Sequence, residues 1–282
     1  MNKPVMITTD STADLSSELL ERFQIKTIPL TITLGQDSFL DGCNFTPDDL
    51  YRRYREDGSL PKTAAPGIQE MTDFFRSFTQ AGFEVVHLDI SAKLSNIFNV
   101  ARLAAESFEG VHVVDSEMLS TGVGLLAIEA AECRDRGMDA AAIAEHLEAL
   151  KKKVSSTFVI DTLEFMWKGG RCAGVTALGA NLLKIKPALK LSDGEIKVFK
   201  KYRGKNEHVY RQYITEQLED KKIRPAHVFI TESGEIEPAV IDELLALVKE
   251  KTGCAEVHHT RAGCTVSSHC GPKTLGVLFI EE

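Results

Sequence analysis

Apolar and polar positions alternate along this chain between short β-rich runs and longer segments at helical spacing. Val5-Met-Ile-Thr-Thr reads as a strand that ends in Asp10-Ser-Thr-Ala-Asp14, a stretch of capping residues, after which Leu15, Leu19 and Leu20 recur at helical spacing. Ile25 to Leu34 reads as one further strand, irregular or at an edge because Pro29 cannot donate to a ladder. Gly35 and Asp37 turn the chain. Thr46-Pro47-Asp48-Asp49 starts a helix, with a capping hydroxyl followed by proline at the first helical position, and Leu50, Tyr51 and Tyr54 continue it. Phe74, Phe75 and Phe78 share the stripe of another helix, ended by Gly82. Val85 to Ile90 predicts a buried strand, Ser91 to Ser95 a polar link, and Ile97 to Phe108 a helix. Val111 to Val114 predicts a strand leading through Asp115-Ser116 into a helix over Thr121–Asp135. Strands and helices in this succession predict an α/β fold with a mostly parallel, doubly wound sheet.

The rhythm changes after the helix Ala140–Lys153. Thr157–Ile160 predicts a strand, Leu163–Met166 a helix start, and Gly169-Gly170 a break. A helix is expected over Ala177–Ile185, stopped by Pro187. Ala188–Leu191 and Glu195–Phe199 flank Ser192-Asp193-Gly194, a hairpin with an Asp-Gly turn. Helices over about Asn206–Leu218 and Pro238–Lys251, with strands at His227–Thr231 and Gly276–Ile280, complete a mixed α+β second half. Two domains are expected, residues 1–153 and 154–282, with the boundary near Lys151–Ser155.

Composition narrows the class. The chain has 282 residues with 33 Lys+Arg against 41 Asp+Glu, a net charge of −8 that disfavours binding to duplex nucleic acid. Hydrophobic residues make up 43%, enough for an ordinary core. No uninterrupted apolar run approaches the ~20 residues of a membrane span, and the N-terminal segment lacks the pattern of a secretory signal. Six cysteines, at 43, 133, 172, 254, 264 and 270, include no C-x-x-C pair, so reduced thiols and a cytoplasmic location are expected.

Few motifs carry chemistry by themselves. Gly122-Val-Gly124-Leu-Leu-Ala127 matches G-x-G-x-x-A, but seven residues separate Val114 from Gly122. A dinucleotide loop needs its first glycine directly after the strand, so close helix packing is the reading adopted. No phosphate-binding G-x-x-x-x-G-K-[ST] occurs. Cys254, His258, His259, Cys264, His269 and Cys270 crowd together without the spacing of a zinc site, and no metal is expected. His87 and His112 read as core or edge histidines. Lys197, Lys200, Lys201, Arg203 and Lys205 form a basic run, either a solvated hairpin or a dock for an acidic partner or an anionic membrane surface. Lys168-Gly169-Gly170-Arg171 is either a helix-ending turn or a loop that presents Arg171 at a cleft. Four polar segments read as loops: 62–66, 91–96, 115–122 and 267–272. The second and third follow expected parallel strands, where ligands collect in open α/β sheets. One chemistry available to such loops is a hydrolase or acyltransferase using Ser95 or Ser120 with His269, although no G-x-S-x-G elbow is present.

Taken in order, the segments Asp10–Leu15, Lys62-Thr63-x-x-Pro66, Ser91-x-x-Leu94-Ser95, Val114-Asp-Ser-x-x-x-Ser120-x-Gly122-x-Gly124, Leu163-Glu-x-x-x-Lys-Gly-Gly-Arg171, Ile185-Lys-Pro187 and His269-x-Gly271-Pro272 form a set. That set resembles the DegV family of fatty-acid-binding proteins, which supply a bacterial fatty acid kinase, and the resemblance runs from Asp10 to the C-terminus. It implies two α/β domains with a long-chain fatty acid held in an apolar tunnel between them. Its carboxylate would be phosphorylated by a separate ATP-dependent kinase subunit, with no cofactor and no catalysis in this chain. Carried over by position, the resemblance puts carboxylate contacts on Thr63, Ser95 and His269. It puts secondary headgroup or loop contacts on Asn96, Gly170, Arg171 and Gly271, and partner or transient membrane docking on Arg203 and Lys205. The chain departs from the family pattern at Ala64, Ala65 and Gly67, at Asn96-Ile97-Phe98 and at Lys273. The chemistry is consistent: burying hydrocarbon contributes ~0.8 kcal/mol per methylene. An unpaired buried carboxylate would cost several kcal/mol, which hydroxyls and an imidazole can offset.

Overall fold

The computed structural model describes residues 3–171 and 185–282 of the chain. The helix expected over Ala177–Ile185 therefore lies, up to residue 184, outside the described residues, as does Cys172.

The first half contains strands β1 (Val5–Asp10), β2 (Ile25–Ile28), β3 (Thr31–Leu34), β4 (Asp37–Leu40), β5 (Lys62–Ala64), β6 (Glu84–Asp89) and β7 (Val111–Asp115). Its helices are α1 (Ser17–Arg22), α2 (Pro47–Asp57), α3 (Ile68–Thr79), α4 (Ile97–Ala105), α5 (Thr121–Asp135) and α6 (Ala140–Leu150). A four-stranded parallel sheet has the order β2-β1-β6-β7, as the alternation of strands and helices predicts. The single strand expected over Ile25–Leu34 is two. Pro29 and Leu30 break it, so β2 edges the parallel sheet while β3 is the centre of a separate antiparallel sheet, β4-β3-β5. The start of α2 is a complete capping box, with Thr46 and Asp49 satisfying each other's orphan backbone donors and Pro47 opening the helix.

The second half contains strands β8 (Val154–Val159), β9 (Ile185–Ser192), β10 (Glu195–Arg203), β11 (Ile223–Glu232), β12 (Glu256–Arg261) and β13 (Leu275–Glu281). Its helices are α7 (Glu164–Lys168), α8 (Asn206–Leu218), α9 (Pro238–Thr252) and α10 (Cys264–Cys270). The six strands form a mixed sheet, β10-β9-β8-β13-β11-β12, in which only β11 and β12 are parallel.

Helix α5 holds the halves together. Twelve of its 15 residues are buried, because it lies between the two large sheets and touches strands of both. One apolar core runs through it, from Ile7, Leu88 and Val114 on one side to Phe158, Phe229 and Leu278 on the other. The glycines at its start serve this packing. A Cβ on Gly122 would press on Met118 and Ser156, and one on Gly124 would meet Leu15 and the Ala13 carbonyl. Among the described residues no helix is long and apolar enough to cross a membrane.

Candidate functional site

Where the parallel strands end, the packing opens into a cavity between the two sheets. It holds about 940 Å³ of atom-free space, counted out through its open mouth. Thr12 follows β1, Ile90, Leu94 and Ser95 follow β6, and Leu119 and Ser120 follow β7, so one wall is made by the carboxyl ends of three parallel strands. The mixed sheet makes the opposite wall, with Phe158, Ile196 and Leu278 beside Thr157, Thr231 and Glu232, and α7 adds Met166. A second, more open depression is lined by Lys3, Glu21, Arg134 and Asp135 together with Leu20, Phe74 and Phe78.

Polar groups gather at one part of the cavity. Thr63 Oγ1 lies 3.1 Å from His269 Nε2, joining residues 206 positions apart. Thr63 comes from the short strand β5 and His269 from α10. Burial, reinforced by the Arg171 guanidinium, pushes the His269 imidazole down to about 4, so it is neutral at pH 7. Its Nδ1 has no hydrogen-bond partner among the described residues and faces Gly169, where any Cβ would collide with the ring. Arg171 is fixed by two carbonyls, donating from Nη1 to Gly169 (2.8 Å) and from Nε to Leu94 (3.3 Å). Ser95 Oγ accepts from the Ile97 N–H (3.3 Å), which leaves its own proton for an acceptor in the cavity. Ser156 Oγ and Thr265 Oγ1, both buried in the cavity wall, have no partner among the described residues. Unsatisfied buried hydroxyls are rare and point to a ligand or water.

Buried carboxylates hold these walls in place. Asp10 Oδ1 accepts from the Thr12 N–H (2.6 Å) and hydroxyl (2.5 Å), while Oδ2 accepts from the Ile90 N–H (2.9 Å). Burial, then repulsion from Asp89, raises the Asp10 carboxyl to about 7. Asp14 accepts from Ser120 Oγ (2.5 Å) and the Gly263 N–H (2.8 Å), and burial raises it well above the carboxylate range. Asp41 accepts from the N–H groups of Cys264 (2.8 Å) and Thr265 (3.2 Å). The first N–H groups of α10 are thus capped by acids from the other half of the chain, since Gly263 offers no side chain. These caps orient the helix that carries His269.

The structure gathers some of the sequence-expected residues and separates others. Thr63, Ser95, His269 and Arg171 all line the cavity. Asn96, Gly170 and Gly271 do not: Asn96 is exposed and its side chain accepts from Asn99, and Gly170 is exposed at the turn after α7. Gly271 is packed under the Phe165 ring, with its carbonyl accepting from Ser233. The segment 267–272, read as a loop, is helical through Cys270. Sequence reasoning missed Thr12, Ser156 and Thr265 in the walls. Only the alternation of Ser156 within a strand could have hinted at an inward hydroxyl.

The serine–histidine chemistry finds no geometry here. His269 Nε2 is engaged by Thr63 and its Nδ1 by no serine, while Ser120 donates to Asp14. A nucleophile needs its base within hydrogen-bond reach.

The basic run from Lys197 to Arg203 lies on the edge strand β10, in which Arg203 pairs with Ile185, and Lys205 follows it at the start of α8. At this end of the sheet Lys186 pairs with Asp161, where β8 runs on toward α7. Lys200 is engaged by Glu216, whereas Arg203 and Lys205 are exposed with no ion pair among the described residues.

Comparison with known proteins agrees with this architecture. A solved structure described as fatty acid binding of a DegV family protein from Thermus thermophilus superposes with a TM-score of 0.89 at 29% identity, covering 100% of both chains. A stearic-acid-binding protein from Eubacterium ventriosum superposes with a TM-score of 0.83 at 26% identity over 98% of each chain. A DegV domain-containing protein from Deinococcus radiodurans is 31% identical over 283 aligned positions, 98% of each chain. The family model described as Uncharacterised protein, DegV family, matches residues 4–282, and this chain belongs to the DegV family.

Proposed function

We propose that this chain binds a long-chain fatty acid in the cavity between its sheets and presents the carboxylate to a separate ATP-dependent kinase. The observation that carries the reading is a largely apolar enclosure with Thr63, His269, Ser95 and Arg171 on its polar part. The acyl chain would lie along Phe158, Ile196 and Leu278, gaining ~0.8 kcal/mol per buried methylene, less the cost of ordering the chain. The carboxylate would accept hydrogen bonds from the Thr63 and Ser95 hydroxyls in the field of Arg171, and these offset its desolvation. The fatty-acid-binding relatives from Thermus thermophilus and Eubacterium ventriosum support the ligand class. The exposed Arg203 and Lys205 suit an acidic surface on the kinase or an anionic membrane during loading. The protein would then act as a cytoplasmic carrier, with the phosphoryl chemistry done by its partner.

Native mass spectrometry of the purified chain tests the ligand. A co-purified acid of about 14–18 carbons, lost on delipidation and restored by refeeding, is the expected result. Failure to take up any such acid after delipidation would overturn the proposal.

A further inference from the structure

We propose that His227, His258 and Glu256 form a mononuclear divalent-metal site of the Zn²⁺ type on the β11–β12 edge, separate from the fatty-acid cavity. Parallel pairing sets His227 of β11 opposite Glu256 of β12, and the two-residue period puts His258 on the same face as Glu256. Three candidate donor atoms converge there. His227 Nδ1 lies 2.9 Å from His258 Nε2, and Glu256 Oε2 lies 3.7 Å from the first and 3.5 Å from the second. Tetrahedral zinc with Zn–N and Zn–O near 2.0–2.1 Å requires ligand atoms about 3.3–3.4 Å apart, so the triangle needs only small adjustments.

The surroundings suit a cation ligand set. Glu132 Oε1 of α5 lies 3.2 Å from His227 Nε2. A carboxylate there fixes the tautomer that leaves the Nδ1 lone pair facing the site, as in carboxylate–histidine–zinc arrangements. Phe23 packs edge-on against His227 and Phe229 lies over His258, which limits access of water from those sides. Glu256 is partly exposed, leaving a route for the ion and for a water as fourth ligand. Arg22 competes, since it grips both oxygens of Glu256 at 2.6 Å. Its side chain is half exposed and can swing into solvent when a cation takes the carboxylate. A second grouping, Glu129, Cys133 and His146, is less suited because Arg136 and Arg224 already hold Glu129. The spacing of histidines along the chain predicted no metal. The donors belong to strands 31 residues apart, so only pairing of those strands brings them together.

Full-length protein stripped with EDTA and titrated with Zn²⁺ by calorimetry should bind one equivalent, with a rise in melting temperature by mass action. His258→Ala should weaken binding at least ~100-fold and Glu256→Gln by about 10-fold or more, while Cys133→Ser leaves the titration unchanged. Fatty-acid uptake should be the same with and without Zn²⁺, which separates this site from the proposed carrier function. If His258→Ala does not fold, as judged by circular dichroism, Glu256→Gln carries the test. Wild-type protein that takes up no Zn²⁺ at micromolar concentration, or Glu256→Gln with unchanged affinity, overturns the proposal.

Discussion

His87 and His269 are both largely enclosed, yet their surroundings differ in kind. His87, fully buried in β6, has both ring nitrogens engaged: Nδ1 with the Thr8 hydroxyl at 2.8 Å and Nε2 with Asp89 at 3.0 Å. Phe75 packs its edge against the ring. His269 has one nitrogen on Thr63, the other without a partner among the described residues, and a cavity beside it. A polar group whose bonds are complete inside the protein holds the fold, whereas one left incomplete at a cavity has capacity for a ligand.

Removing the fully engaged histidine should have the largest effect. His87→Leu leaves Asp89 and Thr8 without their partner in the core and should cost roughly 3–5 kcal/mol in urea unfolding at neutral pH. A loss below about 1 kcal/mol would show that the network contributes little to the fold.

His269 should act through pH. Its folded value is depressed from 6.5 to about 4, so between those values the unfolded chain binds the proton more readily. Its contribution is therefore complete above pH 6.5 and is lost as pH falls through about 4. The window amounts to about 3 kcal/mol at ~1.36 kcal/mol per pH unit. The stability difference between wild type and His269→Gln, measured from pH 7 down to 4, should shrink by that order. The raised carboxyls of Asp10 and Asp14 act in the opposite sense, but they are common to both proteins and cancel in the difference. A difference independent of pH would contradict a neutral buried imidazole. A fatty acid in the cavity should also raise the His269 value, which an NMR titration with and without ligand would read.

Smaller effects should follow at the rim. Ser95→Ala should weaken fatty-acid binding by about 1–2 kcal/mol, as for a lost hydrogen bond to a charged group, with stability within ~0.5 kcal/mol of wild type. Unchanged affinity in fluorescent-acid displacement would remove Ser95 from the site. Arg203→Ala should leave fatty-acid affinity and stability as they are and slow only phosphorylation by the kinase. A fall in affinity alone would place Arg203 with the ligand rather than the partner.

Much of the fold was legible because its signals are local. The helix start at Thr46-Pro47, the Asp193-Gly194 turn and the helix Thr121–Asp135 were all readable from spacing. Other elements were not. Helix α10 is short and rich in serine and threonine, and its caps Asp14 and Asp41 come from far along the chain. Strand β12 carries Glu256, His258 and His259 in a sheet edge, without the apolar alternation that marks a strand. Strand β5 is three residues long and forms only because β3 pairs with it. The motif set pointed to Thr63, Ser95 and His269 one by one. It could not show that Thr63 and His269 touch, nor that Asn96 and Gly271 face elsewhere.

The chain's periodicities, caps and glycines determined which segments are strands and helices and that the first sheet is parallel, because those preferences act within a few residues. Tertiary structure alone decided where α5 would be wedged and hence where the two sheets fail to meet. It also decided which hydroxyls and imidazoles lack partners there. Both depend on contacts between residues one to two hundred positions apart, and such contacts leave no periodic trace in the sequence.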